Sequence, residues 1–125
     1  MADGEGGSTA ARASHLLIKH AESRNPISRR TDLSTADVSV AFAREELMRW
    51  RETLMSDPRP MPEKFAALAY HRSDCGSFQA GGDLGSFERG EMQESFENAT
   101  YALAVGEVSD VVSTDSGLHI IYRTA

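Results

Sequence analysis

Two histidines, a cysteine and two hydroxyl side chains are the residues of this sequence best suited to chemistry. His15 directly precedes the apolar run Leu16-Leu17-Ile18, and His119 precedes Ile120-Ile121 near the end of the chain. Two histidines on buried strands of one small sheet could lie side by side and share a hydrogen bond. The alternative is that each is simply an interior histidine whose hydrogen bonds are satisfied. The polar candidates as a set are His15, His119, Cys75, Ser116 and Thr114.

Cys75 is the one cysteine of the chain, and it precedes a glycine-rich segment. A cysteine near two histidines would resemble a thiol-protease pair, in which a protonated imidazole lowers the pKa of the thiol. The alternative is a small, buried apolar side chain. One cysteine excludes an internal disulfide and a cysteine-cluster zinc site, and it favours a reducing cytoplasmic or nuclear location. No His/Glu grouping has metal-ligand spacing and no phosphate-loop pattern occurs, so we expect neither a metal nor a cofactor.

The charges of the chain are unevenly distributed. The net charge of −6 argues against general nucleic-acid binding, because phosphates would meet a repulsive surface. Between Arg12 and Arg30, however, the sequence contains five basic residues and only one acidic residue, Glu22. Such a local basic segment suggests recognition of one anionic group, and the alternative is a solvated loop with scattered arginines. No stretch approaches the roughly 20 apolar residues of a membrane span, so we expect no membrane partner.

Apolar patterns predict the elements that must position these side chains. Residues 1–11 are rich in glycine and lack an aliphatic anchor, so we expect a disordered tail before one domain at 12–125. A helix starting at Ser34 or Thr35 and ended by Pro58 would carry an apolar stripe that places Trp50 in the core. The other predicted elements are a strand at 13–21, a helix beginning near Pro62, a short strand at 84–88, a helix at 93–103, and strands at 108–114 and 118–123 joined by a turn.

The order of these elements predicts an α+β domain with a small, mostly antiparallel sheet and helices packed around it. Five strings, beginning at Ser14, Ser73, Gly82, Arg89 and Thr114, occur along it in order. They are SHLLIKH, SDC, GDLG, RGEMQ followed by Phe96, and TDSGLHII. Together they resemble the catalytic domain of the parvulin family of peptidyl-prolyl cis-trans isomerases. The resemblance runs from about residue 12 to residue 125 and is closest to the Pin-type, phosphorylation-dependent branch.

This resemblance implies a fold and an activity. The implied fold is a four-stranded antiparallel sheet surrounded by about four helices, a parvulin or FKBP-like arrangement. The implied activity is cis-trans isomerisation of X-Pro bonds in protein segments, preferentially phosphoserine- or phosphothreonine-Pro. The alternative is a module that captures such segments with little turnover. Residues 1–11 are too few for the WW module that precedes the domain in many Pin-type proteins, so we expect the isomerase domain alone. Because no second module is visible in the sequence, we expect a monomer.

The resemblance also implies a role for each candidate residue. The polar floor under the rotating carbonyl would consist of His15, Cys75, Ser116, His119 and Thr114. The proline ring would bind among Leu84, Met92 and Phe96, with Gln93 hydrogen-bonding the substrate backbone. Cys75, which is commonly aspartate in other parvulins, could attack the carbonyl transiently or could tune the electrostatics of the floor, and we favour the second role.

The phosphate group would be bound by Lys19 and Arg24. Asn25 stands where the Pin-type pattern has a second consecutive arginine, which is a departure from that pattern. Arg29 or Arg30 could reach the same anion from the loop that follows.

Overall fold

The four strands form one antiparallel sheet in the computed structural model, which describes residues 10–125. The strand order is β2-β1-β4-β3, so the first and last strands of the chain pair at the centre. Their bounds are β1 Ala11–Ile18, β2 Asp83–Phe87, β3 Val112–Thr114 and β4 Gly117–Arg123. The prediction of an α+β fold with a four-stranded antiparallel sheet is therefore confirmed.

Three α-helices pack around the sheet within residues 10–125, together with one 3-10 helix at Gly76–Ala80. The α-helices are α1 Val40–Ser56, α2 Met61–Arg72 and α3 Glu94–Ala102. The expectation of about four helices is thus corrected to three α-helices and one short 3-10 turn. None of the helices in this part of the chain combines the length and apolar composition that a bilayer crossing needs.

The alternation of side chains along β1 and β4 divides the core into two layers. Leu16, Ile18, Leu118 and Ile120 point to one face, where they pack against buried residues of α1 and α2. His15 is opposite Ile121 and Leu17 is opposite His119 in the antiparallel register. Because successive side chains in a strand point to opposite faces, both histidines lie on the other face of the sheet. That face is covered by α3.

The first helix begins later than the sequence pattern predicted. Ser39, rather than Ser34 or Thr35, is the N-cap, and its side chain accepts a hydrogen bond from the Phe42 N–H at 3.1 Å. The helix ends at Ser56, and Asp57 is extended, as the residue before a proline is expected to be. Trp50 is half-buried and packs against the edge of the core rather than within it.

The predicted strand ends also shift. Ala11 is buried and opens β1, so the folded domain begins at least one residue before the predicted boundary at Arg12. The rest of the predicted tail, residues 1–9, lies outside the described residues. β1 stops at Ile18 rather than at residue 21, because the chain turns at His20, whose carbonyl accepts the Ser23 N–H at 3.0 Å.

The strand before the final hairpin is shorter than expected, because pairing is interrupted between Val108 and Val112. Val108 makes only an isolated bridge to Tyr122. The Ser109 hydroxyl accepts the Ile121 N–H at 2.9 Å, so a side chain takes the place of a backbone partner there.

Gly82 lets the turn before β2 approach β1 at the position of His15. Its carbonyl accepts the His15 N–H at 2.9 Å, its φ is +84°, and a Cβ there would collide with the His15 carbonyl oxygen. Gly85 has a similar φ of +75° but has no atoms near the position of a Cβ. A substitution at Gly82 would therefore cause both backbone strain and steric overlap, whereas one at Gly85 would cause backbone strain alone.

We expect Gly82→Ala to lower the free energy of unfolding by about 3 kcal/mol, because strain and a collision with backbone combine. Gly85→Ala, which has strain alone, should cost roughly 1 kcal/mol. Gly76→Ala, with open space and no positive φ, is the control for the substitution itself. Urea unfolding measures all three, and equal losses for Gly82→Ala and Gly85→Ala would contradict the close approach.

Candidate active site

The two predicted histidines form a buried pair at the centre of the sheet. His15 on β1 and His119 on β4 place their Nδ1 atoms 2.9 Å apart, with ring centroids 5.1 Å apart and an interplanar angle of 24°. The prediction that they lie side by side and share a hydrogen bond is confirmed. The alternative of two interior histidines with satisfied hydrogen bonds does not hold for His15, because its buried Nε2 has no hydrogen-bond partner among the described residues.

A hydrogen-bonded chain continues from this pair through the Thr114 hydroxyl to the backbone of Ser116. His119 Nε2 lies 2.6 Å from Thr114 Oγ1, and Thr114 Oγ1 accepts the Ser116 N–H at 3.1 Å. One Nδ1 of the pair must carry a proton and the other must accept it, because a shared hydrogen bond needs one donor. The tautomer of His119 therefore decides whether Thr114 donates to Nε2 or accepts from it.

Burial keeps both imidazoles uncharged at neutral pH. His15 and His119 are 4% and 3% exposed. Desolvation lowers the pKa of His15 from 6.5 to about 4. The pKa of His119 is lowered well below its usual value, first by desolvation and then by the neighbouring charge that a protonated His15 would carry. A neutral pair fits the Nδ1–Nδ1 hydrogen bond, because two imidazolium rings would present donors to each other.

Gln93 ties the start of α3 to the hairpin between β3 and β4. Its Nε2 donates to Ser116 Oγ at 2.9 Å, and its Oε1 accepts the Asp115 N–H at 2.9 Å. Both ends of this amide are therefore used, which fixes the side chain across the site. Gln93 and Ser116 together connect the hydrogen-bonded chain from His119 and Thr114 to the helix that covers the histidines.

An apolar cluster lies beside the imidazoles. Phe96 packs with Phe87 and Ile121 in the second core layer, and Leu84 and Met92 pack against the same layer at its half-exposed edge. The Phe96 ring lies 5.5 Å from the His15 ring and 5.2 Å from the His119 ring, edge to face with both. The structure thus brings together the three residues of the predicted proline pocket on the face that carries both histidines.

Cys75 lies at the wall of an adjacent cleft of about 350 Å³, which it shares with Leu17 and Ser116. It caps the 3-10 helix, and its Sγ accepts the Ser77 N–H at 3.5 Å. Its side chain is half-buried rather than enclosed in the core. The interpretation of Cys75 as a small core residue is therefore wrong.

The predicted basic residues meet at this cleft. Its walls also contain Lys19, Arg24, Asn25 and Arg29, and we call this set the cationic cleft. Lys19 is only 6% exposed, and its Nζ donates to the Ile27 carbonyl at 2.7 Å. Desolvation lowers the pKa of Lys19, Asp74 opposes that shift, and the positive charge of Arg29 adds to it.

The sequence left open whether Arg29 or Arg30 could reach the anion, and Arg29 is the one that lines the cleft. Arg30 turns its Nε to the Ser73 carbonyl at 3.2 Å. Asn25 lines the same cleft as an uncharged residue. No side-chain cluster of the described residues could hold a metal ion.

Comparison with known proteins gives consistent matches over nearly the whole chain. Residues 15–125 match the family described as "Rotamase: PPIC-type PPIASE domain". The peptidyl-prolyl cis-trans isomerase Pin1 of Digitalis lanata is 47% identical over 123 residues, which cover 94% of this chain and 98% of that protein. The isomerase ESS1 of Saccharomyces cerevisiae is 49% identical over 112 residues, covering 90% of this chain and 64% of that protein.

Solved structures agree with the sequence relatives. The solution structure of TbPIN1 superposes with a TM-score of 0.83 at 50% identity, covering 95% of this chain and all 100% of that one. The peptidyl-prolyl isomerase ESS1 from Candida albicans superposes with a TM-score of 0.83 at 39% identity, covering 94% of this chain and 63% of that one.

The low pKa of His15 predicts a stability that depends on pH. The unfolded chain binds a proton at His15 near pH 6.5, whereas the folded protein binds it only near pH 4, so stability must fall as pH drops through this window. His15 alone should remove about 3 kcal/mol of unfolding free energy below pH 4.

Urea unfolding at intervals from pH 7 to pH 4 measures this slope. His15→Leu removes the titrating group and should show a shallower decline, although it is less stable at pH 7 because His119 loses its partner. Parallel curves for the wild type and His15→Leu between pH 6.5 and pH 4 would contradict a neutral buried His15.

Proposed function

The chain belongs to the PPIC-type, or parvulin, family of peptidyl-prolyl cis-trans isomerases, and we propose that it acts preferentially on phosphoserine- or phosphothreonine-Pro bonds. It is a rotamase, and its substrates are X-Pro peptide bonds. The cationic cleft is the observation that supports the phosphate preference. Lys19, Arg24 and Arg29 line this cleft together with Ser116 and Cys75.

Isomerisation needs no covalent bond to break. Rotation about a peptide bond faces a barrier of about 18–20 kcal/mol, and uncatalysed X-Pro bonds exchange over tens to hundreds of seconds. Catalysis therefore requires the site to bind the twisted amide better than either planar form. An acceleration of 10⁴- to 10⁵-fold corresponds to roughly 5–7 kcal/mol of such preference.

The apolar cluster supplies one part of this preference. We assign the proline ring to the surface formed by Leu84, Met92 and Phe96, where burial removes water from the amide. A planar amide is more polar than a twisted one, because the twist removes the resonance that separates charge between oxygen and nitrogen. Removing water therefore disfavours the planar forms more than the twisted form.

The neutral imidazole pair keeps the polar floor compatible with this environment. A charged His15 or His119 would hold water and would stabilise the polar, planar amide. With both rings neutral and Phe96 against them, the floor offers oriented hydrogen-bonding groups but no full charge. Gln93 and Ser116 stand at the edge of the floor, where they can hydrogen-bond the turning backbone.

The cationic cleft anchors the residue before proline. A phosphate group carries a charge of about −1.5 to −2 at neutral pH and offers three strong acceptor oxygens. Lys19 and the two arginines supply matching donors, with Lys19 preset by its hydrogen bond to Ile27. With one end of the bond held by phosphate and the proline ring held in its pocket, rotation is confined to the bond between them.

We assign Cys75 to electrostatic tuning rather than to attack on the carbonyl. Its thiol lies in the cleft wall and accepts a backbone N–H, and the reaction needs no acyl intermediate. A monomeric state and a cytoplasmic and nuclear location remain predictions of the sequence.

Cys75→Asp tests this assignment. If the position needs only a polar, electron-rich side chain, the folded variant should keep measurable isomerase activity, within about tenfold of the wild type. Exchange NMR on an X-Pro peptide measures the rate, and Cys75→Ala reports the effect of removing the group altogether. Complete loss of exchange in a folded Cys75→Asp protein would instead support a nucleophile.

Two peptides of the same sequence, one with pSer-Pro and the other with Ser-Pro, test the phosphate preference. We expect the wild type to exchange the phosphopeptide at least tenfold more efficiently. Lys19→Met and Arg24→Ala should each reduce that efficiency by about 10- to 100-fold, as expected for a charge-assisted hydrogen bond. Turnover of the Ser-Pro peptide by both variants should stay within about twofold of the wild-type value.

Arg44→Ala is the matched control, because Arg44 is an exposed arginine on α1 and does not line the cationic cleft. It should leave both peptides unaffected. Equal turnover of the two peptides by the wild type would contradict the phosphate preference but not the isomerase. Binding of phosphopeptide without any exchange would instead indicate a binding module.

A further inference from the structure

We infer that the buried carboxylate of Asp74 is a positioning residue for phosphate recognition, because it holds the two walls of the cationic cleft together without touching the substrate. The inference rests on the proposed phosphate preference and names a residue outside the cleft on which that preference depends. Asp74 is 3% exposed and does not line the cleft, although it immediately precedes Cys75.

The carboxylate of Asp74 joins three separate segments. Its Oδ2 accepts the Lys19 N–H at 2.9 Å, at the point where β1 ends. Its Oδ1 accepts the Ser28 hydroxyl at 2.7 Å, inside the loop that contains Arg24 and Arg29. The same oxygen accepts Arg72 Nη1 at 3.1 Å from the end of α2. One side chain thus fixes the strand, the loop and the helix to one another.

The backbone of Asp74 repeats this connection. Its carbonyl accepts the Arg29 N–H at 2.9 Å, and its own N–H donates to the Leu17 carbonyl at 2.8 Å. Lys19 and Arg29 are the two cations of the cleft whose main chains are held by Asp74. The positions of both therefore depend on this one residue.

Holding two cations close together without an anion is unfavourable. Arg29 lowers the pKa of Lys19, whereas Asp74 raises it, so the negative charge behind the cleft offsets their mutual repulsion. Because Asp74 is buried behind the wall, it offsets the repulsion but leaves the front of the cleft positive for an anionic ligand. A preformed pair of cations binds a dianion with less loss of freedom than a mobile pair.

Asp74 is itself braced from the other side of the domain. Arg72 is held by Glu46 on α1, with Nε to Oε2 at 2.5 Å and Nη2 to Oε1 at 3.0 Å. Trp50 Nε1 donates to the same Glu46 Oε2 at 2.9 Å. The guanidinium of Arg72 is thus shared by two carboxylates, of which only Asp74 contacts the loop.

This arrangement provides a matched pair of variants. Asp74→Asn and Glu46→Gln each remove one carboxylate partner of Arg72 with little change in shape. The amide of Asp74→Asn also places an NH₂ group against donors from Lys19, Ser28 or Arg72, so the strand and the loop lose a shared acceptor. Glu46→Gln leaves both contacts of Asp74 with the cleft walls in place.

The experiment measures exchange efficiency on the pSer-Pro and Ser-Pro peptides for the wild type and both variants, with the folded fraction checked by thermal unfolding. We expect Asp74→Asn to raise KM for the phosphopeptide about tenfold while the efficiency on Ser-Pro changes less than threefold. Glu46→Gln should lower the melting temperature but keep the preference for the phosphopeptide.

Two results would overturn the inference while leaving the phosphate preference intact. One is an Asp74→Asn protein with the full preference of the wild type, and the other is an equal loss on both peptides. A wild type that has no preference would overturn the proposed phosphate preference itself, and the inference with it.

Ser28→Ala covers the case in which Asp74→Asn does not fold, because it removes the hydroxyl that joins Asp74 to the loop, together with the contacts of that hydroxyl with the Arg30 and Thr31 N–H groups. It should reduce the preference for the phosphopeptide about threefold. No reduction in a folded Ser28→Ala protein would also overturn the inference.

Discussion

The hydrogen bond between the two imidazoles is the constraint on which the rest of the site depends. It exists only if at least one of the two Nδ1 atoms is unprotonated. Burial by the two central strands and α3 meets this condition, because it keeps both rings neutral. The antiparallel register sets the pair diagonally, with Leu17 opposite His119. A shift of one residue in that register would turn one histidine to the other face of the sheet. The fold and the chemistry of the floor are therefore fixed by the same pairing.

Two environments of opposite character meet at this floor. On one side lies Phe96 with its apolar neighbours, and on the other lies a cleft lined by Lys19 and two arginines. Uncharged groups stand between them, namely the Thr114 hydroxyl, the Ser116 hydroxyl and the Gln93 amide. Positive charges placed against the imidazoles would lower the pKa values of both rings further. Those charges would also draw in water, and this water would undo the burial of the rings, which is why the separation matters. The neutral linkers allow a dry site and a charged site to lie side by side.

The parts of this arrangement that follow local patterns could be predicted from the sequence. The apolar runs beside His15 and His119 predict buried strands, and the sheet places both side chains on one face. The grouping of Leu84, Met92 and Phe96 came from the family resemblance, because no periodicity links residues in a strand, a loop and a helix. The start of α1 was misplaced because Ser34, Thr35 and Ser39 are all acceptable caps, and only tertiary packing selects Ser39. Asp74 carries no local signal for its contacts with the cleft walls, since its partners Lys19 and Ser28 lie 55 and 46 residues away.

The position of Arg29 accounts for the departure at Asn25. The Pin-type pattern has two consecutive arginines there, and this chain has one followed by an amide. Arg29 enters the same cleft from further along the loop, because its N–H is held by the Asp74 carbonyl while the Ser28 hydroxyl is held by the Asp74 carboxylate. The cleft thus keeps three cations, two of them on the loop and one at the end of β1. A charge lost at one position of an irregular segment can be replaced from another, provided that a buried anchor fixes how the segment folds back.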